Sequence, residues 1–180
     1  MLEVGNFGFE VSSSSSQNAL AFAESCTHFG AWCVSSSPLV LGLDATDTDR
    51  LAAVWPVLSN TEAIDVNQQW AGHPGTLAKG DATFQLWTKP LPGGNTAALL
   101  FNKGTEILNV SVSLQTDLGL ARVGGARDIW RHQDVTLDGD VWEVALAAHD
   151  SEFLVFFPAA TDPGAPNSLP PLARGSEASL

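Results

Sequence analysis

The stretch Leu39-Val40-Leu41-Gly42-Leu43 restricts the fold more than any other part of the chain. It is an unbroken apolar run bounded by Pro38 and Asp44. A strand with one wet face alternates polar and apolar residues. A short run without alternation suits a strand buried on both faces, as in a parallel sheet. Helical patterns flank it. Before it, Leu20, Ala23, Cys26, Ala31 and Val34 recur near a 3.6-residue period, and Phe22, Phe29 and Trp32 widen the apolar face. That spacing predicts a helix over 19–35, ended by Pro38, because the residue before a proline avoids the α region. After it, Asp44-Ala45-Thr46-Asp47 turns into a helix over 48–58. Ser59-Asn60-Thr61-Glu62 then matches a capping box, with Ser59 as the cap of a short helix reaching Asn67.

A parallel strand needs neighbours on both sides, so one helix–strand–helix piece cannot be a whole parallel domain. Residues 1–75 are therefore expected to be the end of a larger, truncated α/β domain. Residues 2–11 and the serine run Ser12-Ser13-Ser14-Ser15-Ser16 read as a loop with a low-complexity insertion. After Gly80 the period falls to two. Strands are expected at 84–88, 96–102, 107–114, 126–130, 141–147 and 152–157, with a turn at Pro92-Gly93-Gly94-Asn95. Short strands separated by turn residues indicate an antiparallel sandwich over 80–158. Residues 159–180, rich in proline and small polar residues, are expected to be a disordered tail. The fold class is thus α/β followed by all-β.

Composition narrows the function. Among 180 residues, 8 are Lys or Arg and 20 are Asp or Glu, a net charge of −12. Such a surface repels phosphate backbones and argues against a nucleic-acid partner. A membrane is not an expected partner either, since no stretch approaches the roughly 20 apolar residues that a spanning helix needs. The first six residues lack a basic segment and an apolar core, so they do not read as a signal peptide. Cys26 and Cys33 would lie about 10 Å apart along a helix, beyond the roughly 7 Å Cα separation a disulfide tolerates. They read as two reduced thiols. No ligand spacing for a metal is present, and no cofactor is expected.

Several stretches, in order, resemble the α-galactosidase (melibiase) family of retaining glycoside hydrolases. Met1-Leu2-Glu3-Val4-Gly5-Asn6 looks like the segment that follows Asp-Pro-Asp in that family. Thr27-His28-Phe29 with Trp32 resembles a family helix, and Ser37-Pro38-Leu39-Val40-Leu41-Gly42 with Asp44 its Ser-Pro-Leu-x-x-Gly segment. The run from Leu58 through Ser59-Asn60-Thr61-Glu62-Ala63-Ile64-Asp65-Val66-Asn67 to Gln68 resembles Leu-Ser-Asn-x-Glu-x-Ile-x-Val-Asn-Gln. Leu86-Trp87, Ala98-Leu99-Leu100-Phe101-Asn102, Arg127-Asp128-Ile129-Trp130 and His149 resemble elements of the family's C-terminal β-domain. Coverage is about residues 1–158.

The resemblance implies the C-terminal end of a (β/α)8 TIM barrel followed by the β-sandwich. It implies hydrolysis of terminal α-galactose by double displacement, with two carboxyls about 5–5.5 Å apart at the barrel's C-terminal mouth. In the family both aspartates precede the segment matched by Met1, so no catalytic residue is expected in this chain, and the chain alone is expected to be inactive. Met1 alone matches a sugar-pocket position. α-Galactoside oligosaccharides or glycoconjugates are the implied partners, and a secreted, lysosomal or vacuolar location is implied. Two departures stand out. The loop at 10–17 is longer by roughly ten residues, and Gln69-Trp70-Ala71-Gly72 replaces the commoner Asp-Pro-Leu-Gly. The alternatives are an α-N-acetylgalactosaminidase of the same family, or a non-catalytic carbohydrate-binding or structural β-module.

Other residues carry two readings each. His28 could be an acid or base, but beside Phe29 and Trp32 it reads as a packed structural histidine. Glu3, Asp44 and Asp47 could supply a carboxylate pair; a helix-capping role for Asp44 is the plainer reading. Trp70 and Trp87 could stack on sugars, although core or interface packing is the commoner use. Asn109-Val110-Ser111 is an N-glycosylation sequon. Limited proteolysis is expected to cut 1–75 faster than the β-domain.

Overall fold

The computed structural model describes residues 1–6, 15–137 and 139–159, with the side chains of 15–20 left aside. The expected serine-rich loop and the tail at 160–180 lie largely or wholly outside the described residues. Three helices come first: α1 (Ser15–Val34), α2 (Thr48–Leu58) and α3 (Thr61–Gln68). Eight strands follow: β1 (Thr76–Gly80), β2 (Phe84–Pro90), β3 (Thr96–Asn102), β4 (Leu108–Ser113), β5 (Val123–Asp128), β6 (Gln133–Val135), β7 (Val141–Leu146) and β8 (Ser151–Pro158).

The strands form an antiparallel sandwich, as the period-two pattern predicts. One sheet has six strands in the order β1-β2-β3-β8-β5-β6, and the other is the β4-β7 ribbon. Between them lies a core that includes Leu86, Ala98, Leu100, Val112, Trp142, Val144, Leu154 and Phe156. The opposite face of the large sheet is not wet. Ala97, Leu99, Phe153 and Val155 join Phe29 and Cys33 of α1, Val57 of α2 and Ala63 and Val66 of α3 in a second core. The central strands β3 and β8 are thus buried on both faces, which explains why residues 97–100 are continuously apolar. The molecule has three layers, helices over sheet over ribbon. Each fully buried large apolar side chain contributes roughly 1.5–3 kcal/mol.

Helix α1 lies tight against the sheet at Gly30. A Cβ there would lie 2.8 Å from Leu99 Cδ1 and 3.0 Å from Trp130 Cζ2. The helix ends before the position expected from Pro38. Ser36 adopts a left-handed conformation at φ 55. The Ser37 amide donates to the Trp32 carbonyl at 3.1 Å and the Ser36 amide to the Cys33 carbonyl at 3.2 Å. These are the paired bonds of a Schellman stop.

Three further expectations are corrected. The cap of α3 is Asn60, not Ser59: the Asn60 Oδ1 accepts from the Ala63 amide at 3.0 Å, while the Ser59 hydroxyl donates back to the Trp55 carbonyl and closes α2. The strand expected at 126–130 stops at Asp128, because its Oδ1 accepts from the amides of Trp130 and Arg131 and turns the chain. The run at 39–43 is not buried on both faces. Among the described residues it pairs through one parallel bridge, Leu41 with Leu2, and Val40 and Leu41 stay 54% and 47% exposed, while Leu39 and Leu43 pack against the helix-side core. Strands β1 and β6 escape the sequence reading. Every residue of β1 is exposed, which leaves no apolar alternation to detect.

Candidate functional site

The carboxylates and histidine considered for chemistry, and most of the quoted motif residues, lie at two places, and hydrogen bonding decides what each can do. The first place is the parallel pair at the N-terminus. The Leu2 amide donates to the Val40 carbonyl at 2.7 Å, and the Gly42 amide to the Leu2 carbonyl at 2.9 Å. Helix α1 lies between the two bridged segments in the chain. Met1 is 67% exposed. It lies against Gly42, where a Cβ would come within 2.8 Å of the Met1 Sδ and 2.7 Å of the Leu2 carbonyl oxygen, so only glycine fits.

The three carboxylates considered as a catalytic pair are each held locally. Glu3 Oε2 accepts from the Asn6 side-chain amide at 2.9 Å. Asp44 accepts from both the amide and the hydroxyl of Thr46, bonds that hold its carboxyl below the usual range. A general acid needs the opposite shift. The capping role expected of Asp44 belongs to Asp47, whose Oδ1 accepts from the Arg50 amide at 3.0 Å at the start of α2. His28 keeps the structural role read for it. Its Nε2 accepts from the Glu3 amide at 3.2 Å, and its ring lies 5.8 Å from that of Trp32. Burial lowers its pKa, so the neutral, accepting ring persists at neutral pH. Cys26 and Cys33 are buried free thiols. Burial pushes each up to about 12, so neither is a nucleophile.

The second place is the junction between helices and sheet, and here most of the quoted motif residues meet. Arg127 of β5 forms a two-pronged ion pair with Glu62 of α3, Nε to Oε2 at 3.0 Å and Nη2 to Oε1 at 2.8 Å. His132 Nδ1 lies 3.0 Å from the same Oε1, and Arg127 also reaches Asp134. Asn60 donates to the Ile129 carbonyl at 2.8 Å. Asn67 donates to the carbonyls of Trp32 and Ser37 at the end of α1. His149 Nδ1 meets Glu24 at 2.6 Å, and Thr27 donates to the His149 carbonyl. Lys89 of β2 is fully buried and donates its ammonium to the carbonyls of Val66 and Asn67, the last turn of α3. Sequence reasoning missed Lys89 and Glu24 because their partners are distant in the chain.

These side chains fasten layers together. Burial alone would push the Glu62 carboxyl up, but the bonds from Arg127 and His132 outweigh it and hold the pKa below the ordinary value. A depressed carboxylate stabilises the fold above its unfolded pKa of about 4.3 and loses that contribution as pH falls. Glu62→Gln is therefore expected to cost about 1–2 kcal/mol near neutrality. Urea midpoints of the variant and the unaltered chain should converge progressively as pH falls below about 4.3 and on through the lowered folded-state pKa. An undiminished gap there would contradict the ion-pair role.

Trp70 is 57% exposed on the segment between α3 and β1, whereas Trp87 is partly buried and donates to Gln85. Among the described residues no group of three or more His, Cys, Asp or Glu could hold a metal ion, and no helix is long and apolar enough to cross a membrane.

The geometry defines an antiparallel sandwich with three α-helices packed on its larger sheet. Residues 81–156 match the α-galactosidase C-terminal β-sandwich domain. The α-galactosidase of Coffea arabica is 33% identical over 161 residues, which are 88% of this chain and 39% of that protein. The β-L-arabinopyranosidase of Geobacillus stearothermophilus superposes with a TM-score of 0.70 at 28% identity, over 78% of this chain and 31% of that one. α-Galactosidase I of Mortierella vinacea gives 0.71 at 24% identity, over 90% and 40%, a likeness of fold. The chain belongs to the α-galactosidase family, and it carries that family's C-terminal β-sandwich. It spans well under half the length of the relatives it matches.

Proposed function

We propose that this chain is the closing part of an α-galactosidase: the last units of a (β/α)8 barrel together with the β-sandwich that braces them. In the whole enzyme the reaction would be retaining hydrolysis of terminal α-linked galactose, with α-galactosides as substrates and a secreted or vacuolar setting. The observation that carries the reading is the parallel bridge between Leu2 and Leu41 across α1, since a strand–helix–parallel strand unit is what a barrel repeats. The exposure of Val40 and Leu41 on that unit supports a place beside further strands. Met1 would then line the sugar pocket at the C-terminal mouth. The residues that would separate galactose from N-acetylgalactosamine fall, by the family resemblance, outside this chain.

The residues of this chain would act as scaffold. Asn60, Glu62, Asn67 and Lys89 hold the helices at fixed positions on the sheet, and positional accuracy of that kind underlies catalysis by neighbouring groups. The purified chain is expected to release no product from an aryl α-galactoside. Turnover above buffer that survives purification controls would overturn the scaffold role. Exposed Trp70 favours a second reading, a carbohydrate-binding module. Galactose titration followed by tryptophan fluorescence separates the two, with a saturable change supporting the module.

A further inference from the structure

The sequon Asn109-Val110-Ser111 lies on β4, in the ribbon that forms the outermost layer of the sandwich. Successive strand residues point to opposite faces, so positions one and three of the triplet share a face. Here that face is the outer one. Asn109 and Ser111 are exposed, while Val110 turns inward and packs against the sandwich core. The residue directly opposite Asn109 on β7 is Ala145, a short neighbour that leaves the amide room. The exposed Ser111 hydroxyl donates to the surface carboxylate of Glu143, at 2.7 Å, away from the core.

We propose that Asn109 is an acceptor site for an N-linked oligosaccharide. In the transfer, the Asn109 side-chain nitrogen attacks C1 of the first sugar of a lipid-linked oligosaccharyl pyrophosphate. The C1–oxygen bond breaks, the lipid pyrophosphate departs with its electron pair, and the amide gives up one proton to the transferase. The acceptor is extended chain whose middle residue later enters the core, so the glycan grows away from the fold as the ribbon docks. Once attached, it covers the outer face of a ribbon whose two strands, among the described residues, pair with each other alone. Open ribbon edges invite pairing with other chains, and a bulky hydrated group beside them opposes it. The inference stands apart from the hydrolase reading and does not depend on it.

The test is secretion of the full chain from a eukaryotic cell behind a cleavable leader, with intact mass measured before and after peptide-N-glycosidase treatment. The expected result is one oligosaccharide on the unaltered chain, complete loss of it in Asn109→Gln and in Ser111→Ala, and at least equal occupancy in Ser111→Thr. Transfer precedes folding, so poor folding of a variant would not mimic loss of the glycan. The proposal is overturned if the unaltered and Ser111→Thr chains emerge unmodified while a control sequon in the same cells is glycosylated. Persistence of the glycan in Asn109→Gln would overturn it equally.

Discussion

Lys89→Ala is expected to lower stability by about 3–5 kcal/mol, an effect combining a buried cavity with lost hydrogen bonds. The Lys89 side chain is fully buried under the helices. Its ammonium donates to the carbonyls of Val66 and Asn67, where the negative end of the α3 dipole lies. Burial lowers its pKa, and the nearby Cys33 opposes that shift only in part. Removing the side chain leaves two last-turn carbonyls without their donor. It also uncouples α3 from β2, and through Asn67 from the end of α1. Lys89→Met restores most of the volume but not the donor, so it is expected to recover part of the loss and remain about 1–3 kcal/mol below the unaltered chain. Urea unfolding at neutral pH reads both variants. A methionine variant as stable as the unaltered chain would remove the anchoring role.

Phe153→Ala and Phe156→Ala are expected to cost about 3–5 kcal/mol each. The two lie on β8 but on opposite faces. Phe153 packs toward the helices, 5.4 Å from the Trp130 ring, and Phe156 toward the ribbon, 5.6 Å from Trp142. If the large sheet is shared by both cores, each substitution weakens a single transition. Far-UV circular dichroism, dominated by the helices, and tryptophan fluorescence should then shift together in both variants. Separated transitions, with Phe156→Ala sparing the helical signal, would mean that the layers fold independently.

The sandwich was legible because residues in strands such as 84–90 and 108–113 alternate and glycine-rich turns separate them. The helices were legible from their apolar period. What could not be read was pairing across distance. Glu62 and Arg127, sixty-five positions apart, each look like ordinary surface charge, and Lys89 sits in a period-two pattern as an apparently solvated residue. Glu62 three places after Ser59 imitates a capping box, yet its carboxylate is drawn to Arg127, and Asn60 takes the cap. The run at 39–43 reads as doubly buried because an apolar pattern reports what a strand tolerates, not which neighbours it has. The candidate chemistry at Glu3, Asp44 and His28 is hidden in the sequence for a related reason: Glu3 accepts from Asn6, Asp44 from Thr46 and His28 from the Glu3 amide, pairings that residue types alone do not announce.

The shared sheet bears on the expectation that residues 1–75 are cut faster than the β-domain. Protection should instead split within them, because α1 and α3 belong to the helix-side core whereas Val40 and Leu41 face solvent. Native-state hydrogen exchange resolves this directly. The amides of α1 between Cys26 and Cys33 are expected to exchange only through global unfolding, with the same opening free energy as β3 and β8, while those at 40–46 exchange early. Exchange of the α1 amides through a separate opening, several kcal/mol easier than that of β3, would contradict a single sheet joining both cores.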